Sequence, residues 1–407
     1  MARAHTRQGI PHLFSALIAS GLVAVVLSGA RMAAVHLEQT TILSTTPELF
    51  SLKNQGLAFQ RAAVHAPNVL SFYGSSELMN PPVPERANIF FRTAPTGFQV
   101  SPVGAGGMPP LIILQKVGAL DSALRGKKLA ISLSPGLTAH PGRRGYEGNF
   151  SLMAASGLVF GAGLDFELKR QIASRMLECP STLEKSPLLE FALRRLASHG
   201  WLDRVVFCAL WPIGKVQNAV LEMQDHFAAL AHIRYKSKPV PRRHPEAIDW
   251  SKLIAKVSAV KTTDEDKSKK SSSLDEQIAP GSREAAFRTR MDSGAGWIDL
   301  ELLLRTLASV HARPLLLSMP LAGQFYDQTG ISRSARESYY KRLRALAQRY
   351  HCALIEFEEH DEDPAFLYGH QSHLTTKGWM YYDRALDDFF HGRVLGVDRR
   401  DQFDAQF

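Results

Sequence analysis

Apolar positions run almost unbroken from Ile10 to Ala30, and no charge appears until Arg31. About twenty such residues, coiled as a helix, match the hydrocarbon thickness of a bilayer. Residues 36–66 then set apolar side chains (Leu43, Leu49, Phe50, Leu52, Leu57, Phe59) among polar ones, which predicts an amphipathic, partly helical connector. Asn68–Tyr73 reads as a strand running into Gly74-Ser75-Ser76, and Glu77-Leu78 opens a helix that Pro81, Pro82 and Pro84 cut short. Asn88 to Val103 alternates apolar and polar residues as a strand and loop do, and Pro109–Ala123 has helical spacing. Lys127–Leu133 is a second buried strand, ending in Ser134-Pro135-Gly136.

Residues 150–235 repeat apolar side chains at helical spacing (Leu188, Leu189, Ala192, Leu196, then Val220, Met223, Phe227), predicting helices packed as a cap beside the sheet. Residues 236–285 are rich in Lys, Ser, Asp and Glu and poor in core formers, the composition of a solvated insertion, with one short helix after Ile248. Beyond it come a helix to Leu307, a strand Arg313–Pro320, a loop Leu321–Gly330, a helix Ala335–Tyr350, a strand Ala353–Phe357 and an amphipathic final helix to Phe390. That alternation predicts an α/β fold with a parallel sheet and right-handed crossovers. The expected organisation is a stub and transmembrane anchor (1–35), a connector (36–66) and one α/β domain (67–395) that carries the cap and the insertion.

Composition narrows the class. The chain has 407 residues, 45% of them hydrophobic, enough for a sizeable core. A net charge of +9 suits an anionic partner. Part of the excess lies at the N-terminus and in the polar insertion, and no nucleic-acid motif accompanies it, so an anionic membrane or glycan fits better than nucleic acid. The basic head (Arg3, Arg7) keeps the N-terminus cytoplasmic and places the bulk of the chain outside the cell membrane. A signal peptide cleaved near Ser28-Gly29-Ala30 or Met32-Ala33-Ala34 is the competing account, and it exports the protein equally. Cys179, Cys208 and Cys352 sit in apolar surroundings without metal-ligand spacing, so buried free thiols are expected and no metal or other cofactor is implied. Gly104-Ala105-Gly106-Gly107 lacks the lysine of a phosphate loop.

The candidate chemistry lies at a strand end. A strand that stops at Gly-Ser-Ser before a helix puts a serine hydroxyl at the carboxyl edge of a sheet, where open α/β sheets bind ligands. Gly74 is expected to allow the sharp turn at positive φ, and the first amides of the following helix can stabilise an oxyanion. A simple turn with serine as helix cap has the same pattern. Far downstream, His373 stands in a loop just before the last helix. An early serine and a late histidine follow the chain order of SGNH-type hydrolases, with Ser76 as nucleophile and His373 as its base. The Ser76 amide and a donor near Ser134-Pro135-Gly136 are the expected oxyanion partners.

Four stretches together resemble the D-alanine transfer protein family DltD, whose members are membrane-anchored and SGNH-like. They are the N-terminal anchor with Gly74-Ser75-Ser76-Glu77-Leu78, the strand end Ser134-Pro135, Pro320-Leu321-Ala322-Gly323-Gln324-Phe325-Tyr326-Asp327-Gln328-Thr329-Gly330, and His373-Leu374-Thr375-Thr376-Lys377-Gly378-Trp379. The resemblance implies an SGNH-like fold and an extracytoplasmic transfer of D-alanine to a cell-envelope polymer such as teichoic acid or lipopolysaccharide. A membrane-bound O-acyltransferase and an acyl carrier protein are the implied partners. Gly74, Ser75, Ser134, Gly136, Tyr326 and Trp379 are the residues it offers for oxyanion or substrate binding. One departure stands out: the family's Asp-x-x-His has His370 in place of the acid. Asp361 or Asp363 is then left to orient His373, or Ser76 and His373 act as a dyad. A non-catalytic membrane-anchored adaptor and an esterase are the alternative functions.

Overall fold

The computed structural model describes residues 10–136, 142–184, 186–236, 246–259, 278–368 and 372–393. Most of the polar insertion, and His370, lie outside these residues.

Five parallel strands, β1 (Val69–Gly74), β2 (Gln99–Gly104), β3 (Lys128–Leu133), β4 (Arg313–Ser318) and β5 (Ala353–Glu356), form one sheet in the order β2-β1-β3-β4-β5. Register pairs Gly74 with Gly104, Leu133 with Ser318 and Ser318 with Glu356, so the strands finish along one edge. Each central strand is buried on both faces, which is why its sequence is a continuous apolar run. The chain passes from β1 to β2 on one side and then from β2 across to β3 on the other side of β1, so the space between β1 and β3 is the topological switch point.

Helices cover both faces. On one side lie α5 (Pro110–Leu120), α7 (Leu152–Phe160), α8 (Phe166–Leu177), α9 (Pro187–Ala197), α13 (Ala295–Ser309) and α15 (Arg333–Arg349), packed around Leu114, Leu158, Leu193 and Leu303. On the other, α4 (Ala87–Thr93), α11 (Trp250–Ala259) and α16 (Thr376–Phe390) bury Phe72, Phe91, Trp379 and Leu386. The segment expected as strand and loop from Asn88 is α4 followed by β2. The stretch expected as a loop after β4 holds α14 (Gly323–Gln328), and α12 (Glu284–Ser293) precedes α13. α6 (Arg143–Asn149) bridges to the cap.

The connector is α2 (Ser51–Gln55) and α3 (Ala58–His65), preceded by α1 (Ile10–Thr45). Within α1, His12–Thr45 is long and apolar enough to cross a membrane. The helix does not stop at residue 35. Its side chains are exposed through most of 12–33, then Ala34, Glu38 and Ile42 turn inward against α10 (Trp201–Lys236). Glu38 Oε1 lies 2.8 Å from His226 Nδ1 there, both side chains almost wholly buried. Of the cysteines, Cys352 is buried as expected, whereas Cys179 is partly exposed and Cys208 stands on an exposed face of α10.

Candidate active site

β1 delivers Gly74 to the carboxyl edge, and a single 3-10 turn, Ser76–Leu78, follows. A longer helix is not formed, because Asn80-Pro81 ends it. Gly74 is not at positive φ, contrary to the sequence expectation. Glycine is needed for space: a Cβ there would stand 2.4 Å from Glu77 Oε1 and 3.0 Å from Leu78 Cγ. The Glu77 carboxylate folds back over the turn and accepts the Ser75 amide at 2.8 Å. Ser75 Oγ in turn accepts the Met108 amide at 3.1 Å, tying the turn to the loop after β2. Ser75, Glu77 and Leu78 are buried, and Ser76 between them is partly exposed. The pentapeptide therefore presents one hydroxyl and hides its support.

His373 meets that hydroxyl. Its Nε2 lies 2.9 Å from Ser76 Oγ, across 297 positions of sequence. The loop that carries it is fixed on both sides. His373 accepts the Tyr368 amide on its carbonyl at 2.8 Å, and Leu374 is fully buried beside a bridge to Leu367. Thr375 caps α16 by accepting the Gly378 amide at 3.3 Å and donates to the Ala365 carbonyl at 2.5 Å. Gly378 admits the close passage of Phe366, whose carbonyl would stand 2.6 Å from a Cβ. Burial of the imidazole lowers its pKa below the usual 6.5, so the ring is neutral at neutral pH, the form a general base requires.

The remaining sequence candidates divide. Ser134 is buried at the end of β3, beside β1, with Gly136 just beyond it and its Cα-side space 3.8 Å from Ser134 Oγ. Both belong to the switch-point edge. Trp379 is wholly buried, set edge-on to Phe72 and Tyr382 at 6.5 and 5.9 Å, and forms the wall behind the histidine loop. Tyr326 packs edge-on against Phe287 at 5.9 Å, and burial pushes its hydroxyl up to about 12.

Asp361 and Asp363 have other partners. Asp361 accepts the Leu321 amide at 2.8 Å and the Tyr340 hydroxyl at 2.5 Å, and its backbone carbonyl accepts the Gly323 amide at 2.8 Å. Asp363 pairs with Lys377 at 2.8 Å and faces His360 Nδ1 at 3.3 Å. Asp361 thus joins the loop after β4 to the loop after β5. Arg336, only 1% exposed, supports the same junction through Asp327 at 2.6 Å and Glu362 at 2.8 Å. Gly330, at φ +77°, closes that segment in the left-handed region. The pattern from Pro320 to Gly330 is therefore a loop lock.

Glu77 is the supporting residue that sequence reasoning named only as part of a motif. It is fully buried, and burial raises its carboxyl from 4.5 to about 7. The one signal available was an acid one residue after the serine.

The serine–histidine contact thus lies at the switch point of a parallel α/β sheet, the edge at which such sheets bind ligands. The chain matches the family described as DltD protein over residues 47–391, and it belongs to that family. It is 27% identical over 370 residues to Protein DltD of Bacillus subtilis strain 168, covering 87% of this chain and 88% of that one. It is 23% identical over 298 residues to Protein DltD of Staphylococcus aureus strain NCTC 8325 / PS 47, covering 71% and 73%.

Proposed function

We propose that the protein transfers D-alanine onto a hydroxyl-bearing polymer of the cell envelope, teichoic acid or lipopolysaccharide, outside the cytoplasmic membrane. The observation that carries this is the 2.9 Å approach of His373 Nε2 to Ser76 Oγ at the ligand-binding edge. Membership of the DltD family supports the substrate class. Ser76 Oγ attacks the carbonyl of an activated D-alanyl group while His373 takes its proton. The donor's C–S or C–O bond breaks, and the leaving group takes the proton from His373. A polymer hydroxyl then attacks the acyl-serine, His373 accepts its proton, and the returning proton restores Ser76. In this reading, amides at the start of the Ser76 turn and at the end of β3 hold the oxyanion. The free amine of the ester adds positive charge to an anionic polymer. Alanine reaches the site from an acyl carrier protein through a membrane-bound O-acyltransferase, and no cofactor is needed.

The test is ester-linked D-alanine in envelopes of cells carrying Ser76→Ala or His373→Ala, with protein levels matched to wild type. Loss of the ester in both supports transfer. An unchanged ester leaves the non-catalytic adaptor. Ester above wild type in Ser76→Ala marks an esterase.

A further inference from the structure

Glu77 is buried beneath the nucleophile turn, and no cation pairs with it among the described residues. Desolvating a carboxyl without a counter-charge is costly, and an apolar side chain of that size would fill the same space at less cost. Packing alone therefore does not account for the residue. Its Oε1 accepts the Ser75 amide at 2.8 Å, and this bond closes a ring around the peptide that joins Ser75 to Ser76. That peptide is out of line with the strand. Ser75 has φ −120° and ψ −135°, so the plane beyond it is turned roughly 110° from the ψ of about +115° of a parallel strand. The rotation takes the Ser76 amide out of the ladder, and that amide donates to no group among the described residues.

A second clamp acts on the same residue. Ser75 Oγ accepts the Met108 amide at 3.1 Å and reaches the Ala105 carbonyl at 3.4 Å. The peptide that carries the Ser76 N–H is thus fixed from two directions, by the loop after β2 and by Glu77. The other carboxyl oxygen, Oε2, has no partner in hydrogen-bonding geometry. The polar side chains that face the carboxyl are Ser132 of β3 and Tyr382 of α16. Ser132 is one residue beyond Ile131, which pairs with Tyr73 of β1, so Glu77 lies between the two strand ends that border the switch point.

We infer that Glu77 is a positioning residue for the chemistry of Ser76. Its carboxyl holds the Ser75–Ser76 peptide at the angle that aims the Ser76 N–H at the oxyanion. This rests on Ser76 being the nucleophile. Glu77 touches no substrate in this arrangement, so its effect falls on the rate of the covalent step and not on binding. The role calls for an acceptor at the right reach and not for a charge. Burial raises the carboxyl to about 7, so below that pH the acid form prevails, and a glutamine amide reproduces it.

The full chain in detergent is treated with an alkyl fluorophosphonate, which reports the covalent step without polymer or donor. Ser76 Oγ bonds to phosphorus, the P–F bond breaks, fluoride leaves and His373 takes the hydroxyl proton. The phosphoryl oxygen occupies the oxyanion position. Glu77→Met fills the same volume without an acceptor, and Glu77→Gln keeps one. The limiting labelling rate is expected to fall ~10²-fold in Glu77→Met at a half-saturating probe concentration within about twofold of wild type, and to return within about threefold in Glu77→Gln. Labelling is run well below the unfolding midpoint of every chain. Should Glu77→Met not fold, Glu77→Asp, one methylene short of the Ser75 amide, takes its place with the same expectation. A wild-type rate in Glu77→Met overturns the inference and leaves Ser76 as nucleophile. Equal losses in Glu77→Gln and Glu77→Met overturn the acceptor role. Weaker probe binding at an unchanged limiting rate overturns positioning. Wild type that labels no better than Ser76→Ala overturns both the inference and the reading on which it rests.

Discussion

The two edges of the sheet are built on opposite plans. At the carboxyl edge, small or polar residues (Gly74, Ser76, Ser134, His373) sit over buried groups that have defined hydrogen-bond partners, such as the Glu77 oxygen on the Ser75 amide and the Arg336 guanidinium on two carboxylates. At the amino edge, apolar and cationic side chains of α1, α10 and the β3 approach point outward, and the Arg31–Glu222 pair is open to solvent, whereas Glu38 with His226, further along the same helices, is buried. The first plan fixes a few atoms to within a fraction of an ångström, which chemistry requires. The second offers area and charge without fixed geometry. Replacements of equal size are therefore expected to act very differently at the two edges.

The largest effect expected is at Ser76. Ser76→Ala lowers transfer by ~10³-fold or more while stability changes by less than about 0.5 kcal/mol; single-turnover acyl transfer and thermal unfolding on one preparation check both halves. Arg336→Ala leaves Asp361 without its buried cation and is expected to cost about 3–5 kcal/mol in denaturant unfolding, a loss that the exposed Arg31 does not match. An equal loss from Arg31→Ala would erase the contrast.

Glu77 sharpens the comparison through pH. Its folded pKa, about 7, exceeds its unfolded value of 4.5, so the folded state holds the proton more tightly. Its contribution is fully present below pH 4.5 and is lost as pH rises to about 7. Glu77→Gln retains an acceptor for the Ser75 amide and removes that loss, so the variant gains up to roughly 3 kcal/mol on wild type between pH 5 and 8. Asp361, raised in the same direction, is present in both proteins and cancels. Melting temperatures of the two chains at both pH values decide this, and parallel curves refute it. In activity, the lowered pKa of His373 predicts a plateau at pH 7 that falls away only below pH 6.5, read from a pH–rate profile. Smallest of all, Arg31→Ala is expected to change unfolding by no more than about 1 kcal/mol, because both partners of its ion pair keep water.

The fold was legible where burial is two-sided. β1, β3 and β4 read as short apolar runs between turn residues because helices cover both faces of a parallel sheet. β2 was placed only loosely, since Gln99, Ser101 and Pro102 break its apolar run, and proline is tolerated because β2 is an edge strand. α4 was hidden by its length of seven residues. Ser76 and His373 were legible from chain order and motif, since a strand end and a helix entry fix where such residues emerge. The roles of Glu77, Asp361 and Arg336 were not. Each depends on which loops approach each other in space, as where the Leu321 amide meets the Asp361 carboxylate. Trp379 looked like a substrate contact for the same reason, its burial being set by Phe72 three hundred positions earlier.

α1 does not end where its apolar run does. From Arg31 it continues to Thr45, and the Pro47 carbonyl just after it accepts the Asn88 side chain while Asn54 clasps Gly104 at the carboxyl edge. Fourteen residues at 1.5 Å each make a post about 21 Å tall. The post runs the depth of the fold, from the Arg31–Glu222 pair to the edge that carries Ser76. The helix becomes a ruler laid against the domain, and its length fixes how far the serine stands from the apolar run that precedes Arg31.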